Sequence, residues 1–258
     1  MSTAVLNEEI DRRGVVTITF NRPGKGNAYN QAMLDALFDS LARHAADASC
    51  RVIVLRGAGK HFCAGADISE YDAPPAASRI TLPGVCRALD DFPKPAVALI
   101  HGACIGGGLA FAACCDFVIA ARGAVFSLPE VRLGFAPVPL VGFLVRAIFP
   151  RYLRRYLISG ERFDAEEAFR IGLVHELCDE SAAEVVLAKA VDSLLEAAPL
   201  AASTAKQELQ ARSRELITDE LLAELQVAFR RSFESAEAQE GRAAFREKRK
   251  PHWVPKRD

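Results

Sequence analysis

From Pro95 to Cys115 the chain carries no charged side chain, a run long enough to cross a bilayer. Whether it does so decides what else the chain can fold into. His101 and the triplet Gly106-Gly107-Gly108 interrupt the run, and Lys94 and Asp116 bound it closely. A spanning helix must satisfy its backbone within itself, and a glycine triplet in its middle works against that. The run therefore reads as buried structure: a strand over Ala96-Val97-Ala98-Leu99-Ile100, a glycine turn, and an apolar helix. The first N–H groups of a helix have no partner within it, and glycines let another molecule approach the backbone closely. This stretch suggests a site for an oxyanion or an anion. A tight turn packed in a core fits the same residues, and they leave both readings open.

Composition narrows the class. Half of the 258 residues are apolar and a quarter charged, enough for a sizeable core. The net charge of −1 gives no global basic field for nucleic acid. The opening MSTAVLNEEIDRRG has charges where a secretory segment needs apolar residues, so a cytoplasmic location is expected. Seven cysteines form no CxxC pair, and Cys114 and Cys115 are adjacent, which points to reduced thiols. His175 and Cys178 lack a second pair of ligands, so no metal site is expected.

In chain order, Val15–Phe20 is β-branched and ends at Asn21-Arg22-Pro23-Gly24, a strand followed by a turn. Asn30 caps a helix to about Ala46, with Met33, Leu34, Leu37, Phe38 and Leu41 as its stripe. Val52–Leu55 is a second strand, entering the long loop GAGKHFCAGADISEY, whose glycines fit neither dinucleotide nor P-loop spacing. Residues 72–84, with Pro74, Pro75 and Pro83, read as a pocket flank, followed by a short helix over Val85–Phe92. Strands are expected over Phe117–Ala121 and Ala124–Phe126, then a proline-broken apolar segment from Arg132 to Phe149 and a helix over Arg151–Ile158. Asp164 and Glu167 make a capping-box pattern for a helix ended by Gly172, and Leu173–Leu177 is strand-like. From Ser181 onward the pattern is all helix, broken at Pro199. The whole reads as an α/β core over 1–198 and a helical region over 199–258.

These stretches resemble the enoyl-CoA hydratase/isomerase family, the crotonase superfamily. The resemblance rests on Asn21-Arg22-Pro23 and Asn27-Ala28, Phe62-Cys63-Ala64-Gly65-Ala66-Asp67, His101-Gly102 with Gly106-Gly107-Gly108, Cys115-Asp116, Pro129-Glu130 with Leu133-Gly134, Gly172-Leu173-Val174, and a tail running from Glu240-Gly241 through Ala244-Phe245 to Pro251. It implies an α/β spiral of ββα units with a C-terminal helical region that makes homotrimers or hexamers. It implies an acyl-CoA thioester as substrate and no separate cofactor. By motif position, the N–H groups of Ala66 and Gly107 hold the thioester oxygen. Ala64, Asp67, Ile68, Gly106, Gly108 and Pro129 are carried over as substrate-binding positions, with Ala64 and Ile68 presenting backbone to the adenine.

One departure bears on the chemistry. Hydratases of the family usually have two glutamates; here Ala110 stands at the first position and Glu130 at the second. The resemblance is to a one-glutamate member. Hydration of a 2-enoyl-CoA, of a branched or glutaconyl type, is the first reading. A 3-enoyl to 2-enoyl isomerase with Glu130 as its single base is the second, since one carboxylate can move a proton from C2 to C4. A decarboxylase or hydrolase on the same scaffold, an acyl-CoA-binding scaffold and an RNA-binding member remain as alternatives. A purely structural Glu130 would pair with Arg132 or Arg146. Arg132 is expected to pair with a carboxylate, Asp67 to tie down its loop, His61 and His101 to make loop hydrogen bonds, and the basic tail Arg246–Lys250 to be a solvated face or to meet CoA phosphates. The stripe Leu221, Leu222, Leu225, Phe229 and Phe233 is expected to pack on the core or on a neighbouring subunit.

Overall fold

In the computed structural model of the chain, which describes residues 4–70, 80–213, 218–249 and 251, the N-terminal hairpin comes first. Strands β1 (Leu6–Ile10) and β2 (Val15–Phe20) pair antiparallel, and helix α1 (Gln31–Ala46) follows, with the Asn30 side chain accepting from the Met33 N–H at 3.1 Å. Strand β3 (Val52–Gly57) and helix α2 (Leu82–Asp90) lead to the uncharged run. That run becomes strand β4 (Ala96–Ile100), strand β5 (Ala103–Ile105) and helix α3 (Gly107–Ala113). Strands β6 (Phe117–Ala121) and β7 (Val125–Ser127) precede helices α4 (Val138–Ala147) and α5 (Pro150–Ser159). Strand β8 (Arg162–Asp164), helix α6 (Ala165–Arg170), strand β9 (Glu176–Cys178) and helix α7 (Ala183–Glu196) complete the α/β part. Helices α8 (Pro199–Ser213), α9 (Asp219–Phe233) and α10 (Ala236–Arg246) end the chain.

The large sheet has the order β1-β2-β3-β4-β6-β9, parallel except for β1. The small sheet has the order β5-β7-β8, and an isolated bridge between Cys63 and Cys104 extends it toward the loop after β3. Each turn of the chain thus lays one strand in each sheet and then a helix: β4, β5, α3, then β6, β7, α4. All five residues of β4 are buried because both faces are covered. Ala96, Ala98 and Ile100 join the main core under α1 to α4, while Val97 and Leu99 join a second cluster under α7 with Leu187 and Val191. Among the described residues no helix is long and apolar enough to cross a membrane.

The helices after Pro199 lie against the α/β part. Lys206 in α8 bonds the Asp116 carboxylate at 2.7 Å and the Lys94 carbonyl at 3.1 Å. Leu222 packs on the main core, and Phe229 and Phe233 set their rings 5.9 and 5.5 Å from that of Phe135. The stripe therefore meets its own core; the side chain of Leu225 lies outside the described residues.

Several expectations shift. The strand placed at Leu173–Leu177 is β9, at Glu176–Cys178. Gly172 turns with φ +92°, and the Leu173 and Val174 N–H groups both close onto the Ala168 carbonyl, so those two residues end α6. The apolar segment breaks over residues 134–137, and beyond the break Pro139 falls in the first turn of α4, where no N–H is needed. Helix α2 begins at Leu82 under a Thr81 cap, three residues before Val85. The capping box is one-sided. Asp164 accepts from the Glu167 N–H at 2.8 Å, but the Glu167 carboxylate bonds the Tyr156 hydroxyl and Arg170. Most of the expected flank over 72–84 lies outside the described residues.

Candidate active site

The site is assembled from two loops and a turn. The loop after β3 is clipped by Asn27, a fully buried residue at φ +58°. Its side chain accepts from the Arg22 N–H at 2.9 Å and donates to the Ala58 and His61 carbonyls at 2.8 and 2.6 Å. Tyr29 N–H donates to the Gly65 carbonyl, and Asp67 N–H to the Tyr29 carbonyl, each at 2.8 Å. Ala66 sits between those two bonds, and its own N–H has no protein acceptor among the described residues. The Asp67 carboxylate takes the Arg22 guanidinium at 2.8 Å and the Ser69 hydroxyl at 2.6 Å, and these donors hold its pKa below the usual carboxylate range despite burial.

The second loop is the glycine triplet. Gly106 adopts φ +54° and donates its N–H to the Ser127 carbonyl at 2.9 Å. Gly107 opens α3, and its N–H has no protein acceptor among the described residues, as expected of a helix start. A methyl group on Gly106 would lie 2.7 Å from the Glu130 Oε1 and 3.9 Å from the Gly65 Cα. The two loops and the carboxylate therefore converge on one small volume.

Glu130 comes from the 3-10 turn Pro129–Leu133, between β7 and α4. Its Oε2 is shut off from solvent and makes no hydrogen bond among the described residues. Burial raises its pKa from the ordinary 4.5 to about 7, and its own backbone N–H opposes this only in part. Neither arginine considered for it is its partner. Arg146 pairs with Asp90 at 2.6 Å, and Arg132, against expectation, donates to the Ser159 carbonyl at 2.8 Å instead of meeting a carboxylate.

A cavity opens over this point. Ala64, Ala66, Ile68, Gly106, Pro129 and Glu130 line it. Its walls are mostly apolar, with Leu34, Ile80, Leu82, Leu133, Phe135, Leu140 and, from α9, Phe229, and Gln31, Thr81 and Gln226 add uncharged polar groups. Three carried-over positions do not line it. Asp67 is spent on Arg22 and Ser69. Gly107 lies beneath Tyr29, whose ring and hydroxyl would stand 2.6 and 2.8 Å from a methyl placed there. Gly108 backs onto the Cys63 carbonyl, at 3.0 Å from such a methyl, and serves close packing. Ala110 is wholly buried in the main core and supplies no carboxylate. His61 accepts the Ala103 N–H at 3.0 Å, and His101 bonds the Gly59 carbonyl at 2.9 Å, both loop contacts. In the basic tail, Arg249 is bound to Glu240 at 2.6 and 2.8 Å; Lys250 lies outside the described residues.

Residues 11–256 match the enoyl-CoA hydratase/isomerase family. The chain belongs to that family. It is 32% identical over 240 residues to the 2,3-dehydroadipyl-CoA hydratase of Escherichia coli, covering 92% of this chain and 94% of that one. It is 33% identical over 250 residues to a probable enoyl-CoA hydratase of Bacillus subtilis, covering 93% and 95%. Among solved structures, an enoyl-CoA hydratase/isomerase of Pseudoalteromonas atlantica superposes with a TM-score of 0.89 at 28% identity, over 97% of this chain and all of that one. The fold is thus the family's α/β fold. Within it, sequence reasoning missed Tyr29 and Phe229 as cavity residues. Tyr29 stands next to the Asn27-Ala28 motif and Phe229 on the C-terminal stripe, but neither position says by itself that the two meet at one cavity. Among the described residues no cluster of metal-ligating side chains is present.

Proposed function

We propose that the chain is a cytoplasmic enoyl-CoA hydratase that works with one carboxylate. The observation that carries the reading is Glu130: a buried carboxyl group lining the cavity, its Oε2 without a partner among the described residues, beside two loops whose Ala66 and Gly107 N–H groups have no acceptor among those residues. In this reading the Ala66 and Gly107 N–H groups hold the thioester oxygen, and charge builds there as C3 is attacked. One preorganised donor of this kind typically contributes about 2.7–4 kcal/mol. Glu130 takes a proton from the attacking water and returns one to Cα, so the carboxylate is regenerated and a 3-hydroxyacyl thioester is formed. A pKa of about 7 suits a group that must both accept and give back a proton near neutrality.

The acyl group is best read as uncharged, straight or branched. No lysine or arginine lines the cavity among the described residues, so a distal carboxylate of the glutaconyl or dehydroadipyl type would meet Glu130 without a counter-charge. One observation favours the second reading: Glu130 is the sole carboxylate among the described lining residues, which is all that a 3-enoyl to 2-enoyl isomerase needs. Turnover of 2-enoyl-, 3-enoyl- and 3-methylglutaconyl-CoA thioesters, with the product position identified, separates the cases. Water addition to the 2-enoyl thioester supports the proposal. Double-bond migration alone replaces it with the isomerase. Binding without turnover leaves an acyl-CoA scaffold, and salt-sensitive RNA retention would favour the RNA-binding alternative.

By the same reading the chain assembles as a homotrimer or a pair of trimers. Leu200, Leu209, Val227 and Phe245 of the C-terminal helices are exposed on the isolated chain. Light scattering at micromolar concentration should give a trimer or hexamer mass; a monomer mass would contradict the assembly.

A further inference from the structure

The turn that carries Glu130 has a second neighbour besides the cavity. Helix α10 packs against it from behind, and the contact is backbone on backbone. A methyl group on Gly241 would lie on the Leu133 carbonyl oxygen itself and 2.9 Å from the Gly134 N–H. Ala238 and Ala244, three residues to either side, are wholly buried, so the face of α10 that meets the turn is small throughout. The peptide pressed by Gly241 is that of Leu133, whose side chain lines the cavity three residues after Glu130. On its other side the carboxylate abuts Gly106. Helix α10 is in turn tied to α9 by Arg242, which bonds the Phe233 carbonyl at 2.9 Å and stacks over the Phe233 ring at 4.0 Å.

We infer that Gly241 is a positioning residue: through close contact with the Leu133–Gly134 peptide, helix α10 sets how far the Glu130 turn projects toward the cavity. The inference rests on the reading of Glu130 as the acid/base group. Any side chain at 241 must push the turn or the helix by roughly 1 Å, since interiors leave no slack. A shift of that size at a reacting group lowers turnover by about 100-fold. It also loosens the closed setting of the carboxyl group, in which no charged side chain among the described residues contributes to the raised pKa.

The test is Gly241→Ala, measured alone and together with Glu130→Gln. The expected result is a kcat about 100-fold down with KM changed less than about threefold, and a rising limb of kcat/KM that moves from about pH 7 toward the ordinary carboxylate range. A second readout does not use activity: the pH-dependent stability gap between the parent and Glu130→Gln should shrink when both carry Gly241→Ala. If Gly241→Ala does not fold, Arg242→Ala, which unties α10 from α9 at the Phe233 carbonyl and ring and so loosens the seat of the turn, should lower kcat and narrow the stability gap by less. Wild-type kcat with an unmoved limb and an unchanged gap overturns the inference. If Glu130→Gln alone keeps full activity while the stability gap still responds to residue 241, the catalytic reading fails and the positioning stands.

Discussion

Replacing Glu130 by Gln should make the folded chain more stable at neutral and alkaline pH. The carboxyl group is held at a pKa of about 7 against an ordinary 4.5, with burial as the main cause and no partner on Oε2 among the described residues. A group with a raised folded-state pKa keeps its proton more tightly in the folded chain. Its contribution is complete below about pH 4.5 and is lost as pH rises through about 7. The raised value corresponds to about 3 kcal/mol of folded-state penalty once the group is ionised. Glutamine cannot ionise, so the stability of Glu130→Gln relative to the parent should climb by about 3 kcal/mol between pH 4.5 and 8.5. For a chain of this size that corresponds to a difference in Tm of roughly 6–12 °C. Amide hydrogen bonding at residue 130 adds an offset that does not vary with pH, so the slope carries the information. Thermal unfolding of both forms, at equal protein concentration across pH, measures it. A difference that stays flat, or that falls with pH, would mean that the carboxylate has donors and that burial is not what governs it.

Two further outcomes follow from the same geometry. Gly106→Ala puts a methyl 2.7 Å from the Glu130 Oε1 at φ +54°, so turnover should fall by about 100-fold with some loss of stability; unchanged steady-state kinetics would place the carboxylate elsewhere. Ala110→Glu introduces a carboxyl group at a wholly buried core position; it should destabilise the chain by several kcal/mol without raising hydration, and a gain in hydration, read by the loss of enoyl absorbance, would show that this position reaches the substrate after all.

Much of the fold was legible because periodicity and burial agree. Strand β4 is apolar at every position since both faces are covered, and α1 shows its stripe and its Asn30 cap in the sequence. Strand β1 was not visible: a single residue of LNEEI is buried, so no alternation marks it. Strands β5 and β8 are three residues each, too short for a pattern, and are made by pairing across distant segments. Helix α4 was hidden by prolines that start it. At the site, the glycine loops and Glu130 could be named from motifs. That the carboxyl group is buried and unpaired depends on Gly106, Pro129 and the apolar walls meeting, which no local signal encodes. Asp67 and Gly108 belong to the same motifs, yet the fold uses them to hold the loops. Phe229 is a stripe residue like Leu222, and only the packing of α9 on α4 makes it a cavity wall.

The most direct test of the central claim is hydration of a short, uncharged 2-enoyl-CoA by the parent chain and by Glu130→Gln at saturating substrate, with the product identified. The account predicts a 3-hydroxyacyl thioester from the parent, and a rate lower by about 10²–10⁴-fold for Glu130→Gln with substrate binding retained. Equal rates for the two forms would contradict it.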